Sequence, residues 1–144
     1  MNEKFDMIKS LLSDYDYKEL DTDDLVFKKT FKVTVKKLIF KETFFVTYVD
    51  SEFNSQLLEQ VNTDFEKFMS RSKLDCCSLL CIFENENDVS KDSYTYYYNG
   101  KFLSFVHPLL ISKSEPKIYF DKDFHYQGDK EIKKLVKKIK GTNV

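Results

Sequence analysis

Alanine and tryptophan are missing from this 144-residue chain, and arginine occurs once, at Arg71, against 22 lysines. Glycine is confined to positions 100, 128 and 141, and proline to 108 and 116. With so few and such scattered glycines, neither a GxGxxG turn nor a Walker-type phosphate loop can be written. A single guanidinium removes most of the bidentate grip on phosphates and guanine edges, which the point charge of lysine does not reproduce. The longest apolar runs, Leu79 to Phe83 and Leu38 to Phe40, fall far short of the roughly 20 residues that cross a bilayer. The first ten residues mix charged and apolar side chains and show no apolar core of a signal peptide. From these features we expect a cytoplasmic protein without a membrane partner. No GxSxG or HExxH pattern is present. The excess of Lys, Phe and Tyr over Ala, Arg and Gly also points to an AT-rich genome, which bears on origin and not on activity.

Against this background, 42% apolar and 33% charged residues describe an ordered globular chain. Its length suits one domain spanning 1–144, able to bury roughly two thirds of its unfolded surface. The formal charge is only −1, but residues 1–27 carry eight acids and three lysines, and residues 113–144 carry nine lysines and five acids.

Periodicity supplies the elements. Phe5, Ile8, Leu11 and Leu12 fall on one side of a helix over Met1–Ser13, and the acidic stretch Asp14–Asp24 reads as a connector. Leu25–Val35 alternates with period two, as in a strand with one wet face. Leu38–Val49 is a second strand, with Phe40, Phe44, Val46 and Tyr48 on a common side. Asp50 or Ser51 is placed to cap a helix in which Phe53, Leu57, Val61, Phe65 and Phe68 recur at helical spacing. Cys76–Phe83 is short, bounded and apolar, which predicts a strand buried on both faces near the sheet centre. Asn99-Gly100, between Tyr94–Tyr98 and Lys101–Leu103, is a hairpin signal of the type I′ kind. Lys117–Phe120 is a last strand, and Ile132, Leu135, Val136 and Ile139 make a final helix stopping at Gly141. The order α-β-β-α-β-β-β-β-α predicts an α+β fold: an antiparallel or mixed sheet of about five to six strands, packed by two or three helices on one side.

Few constellations carry chemistry. Cys76, Cys77 and Cys81 lack the CxxC knuckle of zinc sites. On a strand Cys77 and Cys81 share a face about 13 Å apart, too far for a common ion or a disulfide. They read as small apolar core residues. A Cys–His nucleophile would require one thiol to meet His107 or His125 in space, and Asp121, Asp123 and His125 alternate in a polar loop. Glu84–Asp88 lacks the glycine and the bidentate glutamate of a calcium loop. Asp123 with Glu131 and Lys133 imitates a nuclease acid and E-x-K, but on a helix start. We therefore expect no catalytic residue, no metal and no cofactor. An enzyme using His107 or His125 would need a surface cleft that gathers imidazole with carboxylate or thiol.

Two binding readings remain. In the first, the protein is non-catalytic and binds another protein, such as a basic toxin or enzyme, as an inhibitor or toxin-neutralising immunity protein. The expected contact residues are Tyr94, Tyr96 and Tyr98 with the acids Glu84, Glu86 and Asp88 and the segment Asp14, Asp16, Asp21, Asp23 and Asp24. In the alternative, Lys28, Lys32 and Lys36 line the wet face of the first strand, and with the tyrosines they would hold single-stranded nucleic acid.

Overall fold

Between Leu79 and Phe83 the only heteroatom in a side chain is the thiol of Cys81, so neither face of this segment has a use for water. In the computed structural model it forms the inside of strand β4 (Ser78–Glu84), with Leu79–Phe83 fully shielded. The structure describes residues 3–22, 24–39, 41–112, 114, 117–123 and 129–142. β4 runs parallel to both neighbours, β3 (Lys41–Glu52) and β6 (Ser104–Ile111). Beyond β3, strands β2 (Lys29–Lys36) and β1 (Asp16–Asp21) continue the sheet antiparallel. Beyond β6 two short strands follow one another along the same edge, β5 (Tyr97–Asn99) and β7 (Ile118–Phe120). The fold is α+β on a mixed sheet.

Helix α2 (Ser55–Ser72) is the crossover that parallel pairing of β3 and β4 requires. Its Val61, Phe65, Phe68 and Met69 cover Phe45, Leu79, Cys81 and Phe83 on one face. Helices α1 (Glu3–Leu11) and α3 (Asp129–Thr142) cover the other face, where Phe5, Ile8, Ile132 and Leu135 meet Phe31, Val46, Leu80 and Ile82. The expectation of helices on one side is thereby corrected: the sheet is covered on both. The wet face expected of β2 is dry at Thr30, which is fully shielded beneath the α2 layer, half-covered at Lys32 and Thr34, and open at Lys36.

Asp16–Asp21, expected to be a connector, is an edge strand. An edge needs one row of hydrogen bonds only and tolerates alternating charges, so its hydrophobic pattern is faint. β3 begins and ends three residues later than the sequence suggested and runs on to Glu52. The α2 cap is therefore Asn54, whose side chain accepts the Leu57 N–H at 2.9 Å. The β5–β6 hairpin exists, but Asn99 pairs with Ser104 and the loop is Gly100–Leu103. Asn99 acts from the strand end, accepting the Lys101 N–H at 3.0 Å. Positive φ falls on Leu103, at 53°, and not on an Asn-Gly pair.

Pro108 occupies an interior strand, where a missing N–H normally breaks the ladder. Phe105 N–H donates to Cys77 C=O, so odd positions of β6 face β4 and even positions face the opposite edge. On that edge β5 stops opposite Val106 and β7 starts opposite Leu109. Pro108 thus lies at the gap between two short strands, where no ladder partner asks for its proton.

Helix α2 ends on Lys73 in the left-handed region, φ 54° and ψ 47°, a position at which glycine carries no Cβ penalty. Lys73→Gly is expected to raise stability by about 1 kcal/mol, read from the urea midpoint. Leu80→Ala, in the fully shielded centre of β4, is expected to lower stability by about 2–5 kcal/mol in the same measurement.

Candidate functional site

The thiols and the imidazole are separated by the sheet. His107 pairs with Leu80, which belongs to the α1/α3 face, and its ring lies 6.0 Å from Tyr96 and 6.4 Å from Phe120. Cys77 and Cys81 belong to the α2 face. No nucleophile–base pair forms between groups on opposite sides of a hydrogen-bonded sheet. Burial pushes the Cys77 thiol up to about 11 and the Cys81 thiol well above its usual range, the reverse of activation. Cys76, expected inside the strand, precedes it instead, exposed and with φ 55°. His107 is 2% exposed, and burial, assisted by Lys133, lowers its pKa to about 3. His125 lies outside the described residues. Asp121 and Asp123 both pair with Lys91, and Asp121 also accepts the Asp123 N–H at 3.0 Å. Glu131 of the nuclease-like pattern is buried against Lys37, at 3.0 Å, and Lys134, at 3.6 Å. Burial opposes its charge, yet these lysines hold the Glu131 carboxyl below its usual range. Among the described residues no group of three or more His, Cys, Asp or Glu side chains is placed to hold a metal ion.

The acids proposed for partner binding have intramolecular tasks. The Tyr48 hydroxyl donates to Glu84, and burial, with Asp50 nearby, raises the phenol's pKa. Glu86 accepts from Ser112 Oγ at 3.0 Å and from Ser114 Oγ at 2.5 Å, while its own N–H donates to Glu52 at 2.8 Å. Asp88 accepts from Lys117 Nζ at 2.7 Å and the Tyr119 hydroxyl at 2.9 Å, and the lysine bond holds its carboxyl low. The loop therefore fastens the β6–β7 connection. Asp14 pairs with Lys138 at 3.8 Å and Asp24 with Arg71 at 2.6 Å. Asp16 and Asp21 mark the two exposed ends of β1, and Asp23 lies outside the described residues.

The tyrosines divide. Tyr94 packs on Tyr119 in the α2 layer, with ring centres 5.4 Å apart. Tyr96 packs into the opposite layer, and Tyr98 lies 4.8 Å from Phe105 on that same side. Lys32 pairs with Phe45 and so belongs to the α2 side, as does Lys36, while Lys28 precedes β2. Tyr96 and Tyr98 of the nucleic-acid reading thus lie on the face opposite Lys32 and Lys36, whereas Tyr94 lies on the same face as these lysines.

What remains open is a short segment at the β5 edge. Tyr97 is 43% exposed, Tyr98 47% and Leu103 52%, all within seven residues of chain. Leu38 and Ile39, at the β2–β3 turn, are the other large apolar side chains in water among the described residues. From the residue order Leu38, Ile39 and Leu103 read as strand residues, because turns without Asn or Gly at their centres leave no mark in the pattern.

No protein-family model, curated protein or solved structure matches this chain. Among the described residues no helix is long and apolar enough to cross a membrane. Function has to be read from surface chemistry.

His107 gives the interior a pH signature. Its pKa is 6.5 when exposed and about 3 in the fold, so between these values the unfolded chain binds the extra proton. Stability is expected to be insensitive to this group above pH 6.5 and to fall on acidification below it, by about 1.4 kcal/mol per pH unit. Urea titrations across pH check this: His107→Phe should remove the component that begins near neutrality and keep the loss contributed at lower pH by carboxylates such as Glu131, whose pKa is held low.

Proposed function

We propose that the protein acts by binding another protein, through the β5 edge and the Gly100–Leu103 turn. The observation that carries this reading is the exposure of Tyr97, Tyr98 and Leu103 together on one short segment. Tyrosine offers a large, rigid and amphipathic contact area, and such residues dominate interface energies once water is excluded around them. The segment is well anchored: Asn99 Nδ2 donates to Glu66 of α2 at 2.8 Å, and Tyr98 rests on Phe105. A partner therefore meets a surface already ordered, with little side-chain entropy left to lose.

The narrower form of the proposal is an inhibitor or toxin-neutralising immunity protein directed at a basic partner. It draws on the acidic Asp14–Asp24 segment, where Asp16 and Asp21 remain exposed along β1. That segment borders the edge opposite β5, so its contribution would be steering at long range rather than contact. Glu84, Glu86 and Asp88 play a lesser part in this version, given their bonds within the fold.

The test is affinity capture from the source cells followed by titration with the recovered partner. Tyr97→Ser with Tyr98→Ser is expected to weaken binding by roughly tenfold or more. Asp16→Asn with Asp21→Asn is expected to slow association at low salt and leave dissociation unchanged. Equal affinity of the tyrosine variant, or recovery of nucleic acid alone, contradicts the proposal.

A further inference from the structure

We infer that the β2–β3 turn is a wedge that enters the interfacial layer of an anionic phospholipid bilayer. Leu38 is 100% exposed and Ile39 88% exposed, values that no packing within the chain accounts for. Both lie beyond the last ladder pair of the hairpin, Lys36 with Lys41, and so project past the end of the sheet. The expectation of no membrane partner rested on the lack of a run long enough to cross, and that bears on crossing alone. A turn that dips into the headgroup region needs only a few apolar side chains and a basic collar.

The collar is present. Lys36 and Lys41 flank the tip and are exposed. The registers Phe44 with Ser78 and Ser78 with Phe105 bring Lys73 and Lys101, the residues leading towards β4 and β6, to the same end of the sheet. Of the acids at this end, Glu131 is paired with Lys37 and Asp14 with Lys138, while Glu42 and Asp16 lie behind the Lys36–Lys41 pair, beside Val35 and Thr34. The exposed charges immediately beside the tip, Lys36 and Lys41, are both positive. Lysine suits the purpose, because its long apolar stem lies along the acyl boundary while the ammonium reaches phosphate.

The hairpin behind the two side chains is braced, Lys37 Nζ meeting the buried Glu131 at 3.0 Å. Leu38 and Ile39 belong to neither core cluster, so their insertion takes no side chain out of the core. Tyr97 and Tyr98 lie three strands away, about 14 Å across the sheet.

Co-sedimentation of the full chain with vesicles tests the inference. Binding is expected to vesicles of phosphatidylcholine mixed with phosphatidylserine, much more weakly to phosphatidylcholine alone, and with a decline as salt is raised. Leu38→Asp with Ile39→Asp should weaken it roughly thirtyfold or more. Lys36→Gln and Lys41→Gln should each weaken it roughly fivefold on the anionic vesicles only. Tyr97→Ser with Tyr98→Ser should leave vesicle binding unchanged, which separates this surface from the one proposed for a protein partner. Because the tip is solvated, unaltered urea midpoints certify that the variants are folded. Folded wild-type protein that stays in the supernatant, or tip variants that sediment equally well, overturn the inference. So does a protein partner whose capture depends on Leu38 and Ile39 when no vesicle binds.

Discussion

A strand with no wet face is the constraint from which the other features follow. Once Leu79–Phe83 are dry on both sides, every backbone N–H and C=O of β4 must find a partner in a neighbouring strand, because water is not at hand to take its place. β3 and β6 provide those partners. Parallel pairing with β3 forces a long crossover, so α2 is laid over one face, and α1 with α3 close the other. The two cores meet only through the backbone of the sheet. Just before β4 and β6, Cys76 and Leu103 take up positive φ, 55° and 53°.

This arrangement shields Cys77, Cys81 and His107 from water. Cys77 and Cys81 are packed among phenylalanines, and His107 is held neutral on the far side of the sheet. Most surface acids that looked available are fastening loops: Glu86 and Asp88 bind the β6–β7 connection, and Glu131 holds the β2–β3 hairpin. What the molecule presents to others is accordingly a matter of apolar side chains that found no place inside: Tyr97, Tyr98 and Leu103 at one edge, Leu38 and Ile39 at one tip. Binding, first to a protein and then at a lipid surface, is the reading this inventory supports.

How much of this was visible in the residues varied with how strongly burial constrained each segment. The buried strand β4, the apolar stripes of α2 and α3, and the shared side of Phe44, Val46 and Tyr48 were all legible, because the periodicity of a buried face is written directly in the residue order. β1 was not, since Tyr17 and Leu20 are its only large apolar residues and an edge strand needs little burial. The second helical layer was also hidden, as periodicity reveals that an element is amphipathic but not which face of a sheet it covers. The division of Tyr94 from Tyr96 and Tyr98 followed from a strand that starts only at Tyr97. The exposed turns were least legible of all, for an apolar pair such as Leu38-Ile39 looks the same whether it begins a strand or ends in water.

Thiol accessibility tests the dry-strand account most directly. In the native protein an aromatic disulfide reagent should modify one cysteine at once, Cys76, which is exposed. Cys77 and Cys81, buried and with thiols of raised pKa, should react only at the rate of global unfolding. Prompt modification of Cys81, or of both buried thiols, in protein whose unfolding is demonstrably slower would contradict the account.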